Sequence, residues 1–304
     1  MSLKQQSRPA LGISATERET GLGKDTLRVW ERRYGFPQPE RDANGERLYP
    51  AEQVDRLRLI KRLMDQGHRP GRLMAAGEAD LQALYAPAAA PAPSIPGDDA
   101  LVRQLLALVK THDVPQLRAA LNQAMLRQGL QDFILHSLSA LNHAVGEAWM
   151  SGEFEIFEEH LYTEQVQALL RQAIASLPAP SGSPRILLTT LPEEQHGLGL
   201  LMAEALLALD GASCVSLGTQ TPLFDIAMAA RSQQADVVAL SFSIAYPARQ
   251  VAPQLAQLRG MLPQETELWA GGGGAGRLGA QPGVRVLVGL PDALAALEEW
   301  RAAH

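Results

Sequence analysis

The spacing of apolar residues changes along the chain, from a helical period at first to short runs alternating with helical stretches. Ile13–Thr20 predicts a short helix, with Ser14 as N-cap and Glu17 three residues on completing a capping box. Gly21–Gly23 is a tight turn, and Lys24–Tyr34 predicts a second helix with Leu27 and Trp30 on its buried side. Asn44-Gly45 is a hairpin signal. Ala51–Met64 carries Val54, Leu57, Ile60 and Leu63 in one helical stripe, and Arg69–Tyr85 predicts one further short helix. Ala86–Asp99 is rich in Pro and Ala and reads as an extended, semi-rigid linker. Helical patterns follow at 100–110, 114–127, 130–150 and 154–177, with Pro178 closing the last. Four amphipathic helices with short connections indicate a bundle. Apolar runs at 185–190, 212–217, 236–241, 267–270 and 285–289 then alternate with helical patterns at 197–209, 222–233, 247–262 and 291–303. That alternation indicates a doubly wound parallel sheet. The expected fold is multidomain, α and α/β. It has a helix-turn-helix with a wing (1–85), a linker (86–98), a four-helix bundle (99–180) and a doubly wound domain (183–304).

At 304 residues the chain has room for two to three domains. Its longest apolar runs fall well short of the ~18 residues needed to span a membrane. The N-terminus, MSLKQQSRPA, lacks an apolar secretion segment, so secretion is not expected. The single cysteine, Cys214, lies in the apolar stretch Ala212–Leu217; it forms no internal disulfide and fits a core position in a reducing cytoplasm. Charge is uneven. Residues 1–74 carry 15 Lys/Arg against 10 Asp/Glu, which leaves 12 against 23 for the remainder. A basic head on an acidic body points to a polyanion partner for the head alone.

Three loops stand at the C-terminal ends of predicted strands, the edge where open α/β sheets bind ligands. They are Leu191–Leu200 (LPEEQHGLGL), Ser241–Ser243 and the four-glycine turn Gly271–Gly274. No G-x-G-x-x-G follows the first strand, so a nicotinamide cofactor is not indicated. Alone, His196 reads equally as a surface or hydrogen-bonding histidine, and the serines read equally as strand caps. The set, however, resembles the cobalamin-binding, Rossmann-like fold of methionine synthase and methylmalonyl-CoA mutase. In that family Asp-x-His-x-x-Gly is followed by Ser-x-Leu and Gly-Gly. Here 41 residues separate Gly199 from Ser241, and 27 separate Ser243 from Gly271, as in the family. Glu194 replaces the family's Asp, and Ser243 its Leu. The Glu-x-His-x-x-Gly form is similar to that of the light-responsive CarH/LitR group. The resemblance implies His196 as the lower cobalt ligand and Glu194 as the acid that fixes its tautomer. Gly199, Gly271 and Gly272 would allow close approach of the cofactor's nucleotide tail, and Ser241 and Ser243 would hydrogen-bond it.

The stretch TLRVWERRYGFPQPERDANGERLYP resembles the winged-helix DNA-binding domain of the MerR family. That resemblance implies a double-stranded DNA operator. Lys24, Arg28, Arg32 and Arg33 would reach phosphates or guanine edges from a major-groove helix, and Arg41, Arg47 and Tyr49 would clamp the flanking backbone. No sustained heptads follow, so dimerisation through a long coiled coil is not expected.

In the bundle, Trp149 is followed at ten and eleven residues by Glu159 and His160, as in CarH-type regulators. The resemblance implies a bundle that caps adenosylcobalamin, with Trp149 against the adenosyl group and Glu159 bonding it; plain bundle core is the other reading of Trp149. Met150 stands where light-responsive members carry a histidine, and a thioether is a poor ligand for Co(III). His136, His143 and Met150 share a seven-residue spacing on one helical stripe, and His160 is the alternative replacement ligand. The chain as a whole is identified as a member of the CarH/LitR-type regulators. It is expected to be a non-enzymatic, cytoplasmic, homo-oligomeric repressor, a tetramer in darkness. A cobalamin sensor without light response and a cobalamin-independent, MlrA-like regulator are the alternatives.

Overall fold

The computed structural model describes residues 10–65, 68–85, 98–150, 152–180, 182–244 and 246–304. They form two compact units that divide between Ala90 and Pro91. The expected linker, 86–98, lies outside the described residues except for its last position, Asp98. No helix among the described residues is long and apolar enough to cross a membrane.

In the first unit, strand β1 (Leu11–Gly12) runs directly into α1 (Ile13–Thr20). Helix α2 (Lys24–Tyr34) follows, then β2 (Glu40–Arg41), β3 (Arg47–Tyr49) and α3 (Ala51–Asp65). The three short strands form an antiparallel sheet in the order β1-β3-β2, with Leu11 opposite Tyr49 and Arg41 opposite Arg47. The β2–β3 turn is the expected one: Gly45 has φ +81°, and Asp42 Oδ1 accepts from the Asn44 and Glu46 amides. The expected capping box is absent. Gly12 is the N-cap of α1 because β1 delivers the chain one residue before Ser14 could act. Glu17 instead accepts the Lys24 amide at 3.1 Å, so it caps the next helix, whose own N-cap, Gly23, has no side chain to do so. The single helix expected over 69–85 is two, α4 (Pro70–Ala75) and α5 (Glu78–Tyr85). Ala76 between them is extended, its carbonyl taken by Arg56 Nη2 at 2.8 Å. Leu27, Trp30, Leu57, Ile60, Leu63, Leu73 and Leu81 form the core.

The second unit begins with α6 (Asp98–Lys110) and α7 (Val114–Gln128). The third bundle helix is composite: α8 (Leu130–Asp132), a π-helical segment Phe133–Leu138, and α9 (Ser139–Met150). The wider π turns break the seven-residue register between His136 and His143. Helix α10 (Ile156–Ala175) completes the bundle and ends before Pro178. Strands β4 (Gly182–Thr189), β5 (Ala212–Ser216), β6 (Val237–Ser241), β7 (Glu267–Gly271) and β8 (Arg285–Val286) form a parallel sheet in the order β5-β4-β6-β7-β8. Alternate β4 side chains feed opposite layers: Ile186 and Leu188 pack with α11 (Leu198–Leu209) and α14 (Leu290–Ala303). Leu187 packs with α12 (Leu223–Ser232) and α13 (Ala248–Met261). Bundle and sheet, expected as separate bodies, share α11. Its Leu201, Met202, Ala205 and Leu206 lie in the bundle core, whereas Leu200 and Leu207 lie in the sheet core.

One buried acid bolts the bundle's turns together. Glu158 is 2% exposed; it accepts from Lys110 Nζ (3.0 Å), the Glu155 amide (2.7 Å) and His112 Nε2 (2.9 Å). Burial alone would raise this carboxyl, but the Glu155 amide, His112 and Lys110 outweigh it and hold the acid below the usual carboxylate range. Its stabilising contribution is therefore complete above that range and lost as pH falls through the lowered value. Glu158→Gln should cost about 1–3 kcal/mol near pH 7, because one acceptor becomes a donor facing a donor. In urea unfolding the gap between wild type and variant should narrow as pH falls below the usual carboxylate range; a gap of constant size would contradict this account.

Candidate functional site

The C-terminal edge of the sheet is built from its threonines outward. Thr190, buried at the end of β4, donates to the Glu194 carbonyl at 2.6 Å and accepts the Gln220 amide at 2.8 Å. Thr189 bonds the Gly218 carbonyl and Thr221. These bonds pin the 191–196 and 217–221 loops to the sheet, and a buried Leu191 anchors the first of them. Glu194 is thereby drawn inside: it is 1% exposed, whereas the His196 side chain two residues on is 64% exposed.

The Glu194 carboxylate is fully used. Oε1 accepts from the His196 amide (2.9 Å) and lies 2.7 Å from His196 Nδ1; Oε2 accepts from the Ser243 amide (2.7 Å) and hydroxyl (2.8 Å). Burial pushes this carboxyl up, but the bonds from His196 and Ser243 prevail and hold it below the usual range. An ionised carboxylate only accepts, so Nδ1 carries a hydrogen and Nε2 is the ring nitrogen left for a metal in the neutral imidazole. A neutral imidazole held in one tautomer and turned outward is the donor a metal requires. Ser243, expected on a nucleotide tail, is instead committed to Glu194. Ser241 is the serine that meets the glycines. A Cβ on Gly199 would lie 3.6 Å from Ser241 Oγ, and one on Gly272 would lie 3.0 Å from it and 2.5 Å from the Phe242 carbonyl. Of Gly199, Gly271 and Gly272, only the last excludes a side chain; the other two leave ordinary van der Waals room for a Cβ. An exposed, carboxylate-fixed histidine beside strand-end loops of small residues, packed tightly at Gly272, fits a large planar metal cofactor bearing a tail.

On the bundle, Trp149 is half-buried and packs against the core at the end of α9. Glu159 accepts from Thr163 Oγ1 at 2.7 Å and lies 2.7 Å from His160 Nδ1; His160 itself is exposed. Met150 closes α9, and its side chain lies outside the described residues. Asn142 on α9, unforeseen in the sequence, joins bundle to sheet layer: it accepts from the buried Tyr162 hydroxyl and donates to Met202 Sδ of α11 at 3.1 Å.

In the first unit Arg28, Arg32 and Arg33 are exposed on α2. Lys24 lies 3.6 Å from Glu17, and Arg28 pairs with Asp25 at 3.0 Å. Arg41 donates to the Gly45 carbonyl at 2.7 Å, stiffening the wing. Arg47 pairs with Glu31 at 2.8 Å and so fastens the wing to α2. Tyr49 departs from expectation. Its ring is wholly buried, and its hydroxyl has no hydrogen-bond partner among the described residues; it is core rather than an exposed clamp.

Comparison with known proteins adds the lineage. Residues 11–73 match the MerR HTH family regulatory protein model, and residues 101–174 match a B12 binding domain. The HTH-type transcriptional repressor CarH of Myxococcus xanthus is 30% identical over 259 residues, covering 84% of this chain and 86% of that protein. This chain belongs to the CarH-type regulators of the MerR family. CarA, a second HTH-type transcriptional repressor of the same organism, is 30% identical over 76% of each chain. Both relatives of this CarH-type chain are transcriptional regulators rather than enzymes. The monomethylamine corrinoid protein of Methanosarcina barkeri shares the fold alone, with a TM-score of 0.52 at 15% identity over 67% of this chain and 100% of that one.

Proposed function

We propose that this CarH-type chain is a light-responsive transcriptional repressor. In darkness it binds adenosylcobalamin and a double-stranded operator as a tetramer, and in light it releases the DNA. The observation that supports this most is the buried Glu194 presenting the exposed His196 at the sheet's C-terminal edge. When bound, adenosylcobalamin supplies a cobalt–carbon bond that light breaks. His196 Nε2 would hold the cobalt, with Glu194 fixing the ring's orientation and tautomer through Nδ1. Gly199, Ser241, Gly271 and Gly272 would receive the tail, and Trp149 and Glu159 of the bundle would contact the adenosyl group. Helix α11 starts two residues after His196 and is packed into the bundle, so a shift of the bundle is felt at the ligand loop. Arg28, Arg32, Arg33 and Arg41 meet the DNA, and binding should weaken steeply with salt.

Met150 favours a second reading, a cobalamin sensor that keeps its assembly in light, because its thioether is a poor replacement ligand for Co(III). Absorption spectra of the reconstituted protein before and after green light, with molar mass from light scattering, separate the two. The expected result is a dark cobalamin spectrum that changes as the mass drops. A changed spectrum at constant mass would favour the sensor, and no bound cobalamin would overturn both.

A further inference from the structure

The outward face of α2 carries Asp25, Arg28, Val29, Arg32 and Arg33, opposite the buried Leu27 and Trp30. Val29 is 41% exposed, and among the described residues of the first unit it is the one large apolar side chain left in that state. Its neighbours on the helix surface at i−4, i+3 and i+4 are Asp25, Arg32 and Arg33, so it is ringed by charge rather than joined to an apolar patch. Neither local folding nor solubility asks for it there. A β-branched residue is a poorer helix former than Ala, Lys or Arg, and the core is complete without it.

The proposed operator supplies a reason. Every base edge in the major groove offers a donor or an acceptor, and thymine alone adds a methyl group, at C5 beside its O4 acceptor. Recognition helices lie in the major groove with their N-terminal residues against base edges, and Val29 is the middle residue of α2, one turn after Asp25 on the same outward face. The flanking Arg28, Arg32 and Arg33 have the reach to fix the helix on phosphates at either side. We infer that Val29 is a specificity-determining residue that packs on a thymine methyl in each half-site. The inference rests on the DNA-binding reading above, and nothing in it depends on cobalt.

The test uses the full chain in darkness with excess adenosylcobalamin. A preferred duplex is first selected from a random pool. Affinities are then measured by fluorescence anisotropy for wild type and Val29→Ala on that duplex and on copies with each thymine replaced singly by deoxyuridine. Deoxyuridine removes the methyl and nothing else. At one thymine per half-site wild type should lose about fourfold, the worth of one buried methyl group, and Val29→Ala should not distinguish the two bases there. Insensitivity of wild type at every thymine, or equal sensitivity in Val29→Ala, would overturn the assignment while leaving DNA binding intact. Failure to select any preferred duplex would overturn both.

Discussion

Glu194→Ala is expected to weaken cobalamin binding about 10- to 100-fold, the usual consequence of losing the group that orients a metal-binding histidine. The carboxylate reaches two loops at once. It holds His196 by amide and ring, and it holds Ser243 by amide and hydroxyl, all within 2.9 Å. Alanine leaves the ring free to rotate and to change tautomer, and it strands the Ser243 amide without its acceptor. Glu194→Gln is the sharper variant, since its NH2 faces the donor pair of one loop while its oxygen can satisfy only the other. It should recover less than half of the lost binding free energy. A spectrophotometric titration in darkness measures both, with His196→Ala as the ceiling of the effect. If Glu194→Ala bound cobalamin as tightly as wild type, the acid would be a loop staple with no bearing on the ligand.

Gly272→Val should cost about 3 kcal/mol and lower the melting temperature of the second unit by about 10 °C, from two causes that add. Gly272 has φ +92°, where a side chain is strained in any surroundings. Its Cβ would also stand 2.5 Å from the Phe242 carbonyl and 3.0 Å from Ser241 Oγ. The backbone of the Ser241–Ser243 loop would have to retreat, taking with it the Ser243 amide that Glu194 needs. Gly279→Ala is the control, because no atom lies within 4 Å of the added Cβ. Differential scanning calorimetry on both variants decides the matter; equal melting temperatures would mean that the two loops are not nested as described.

Much of this could be read from the residues because the relevant patterns are long. Five apolar runs separated by helical stretches leave few topologies, and the strand ends bring His196, Ser241 and Gly271 to one edge whatever the details. Features set by single contacts were beyond reach. Strand β1 is two residues long and exists only because β3 lies beside it; its presence made Gly12 rather than Ser14 the N-cap of α1 and freed Glu17 for the Lys24 amide. The break at Ala76 depends on Arg56, twenty residues away in sequence. The π segment leaves no mark in hydrophobic spacing. Tyr49 and Ser243 show a second limit: a polar side chain at the right position declares its chemistry but not its partner, and one proved to be core while the other turned to Glu194.

Helix α11 has one further implication. Leu201, Met202, Ala205 and Leu206 belong to the bundle, and Leu200 and Leu207 to the sheet. Lineages that exchange sensory modules generally recombine at exposed connections, and the segment between α10 and β4 looks like such a place. A graft cut there would carry α11 away from the bundle it packs into, leaving Leu201, Met202 and Leu206 facing foreign neighbours. The seam for chimaera construction therefore runs lengthwise through a helix. Any transplanted bundle must bring its own version of the α11 residues that face it.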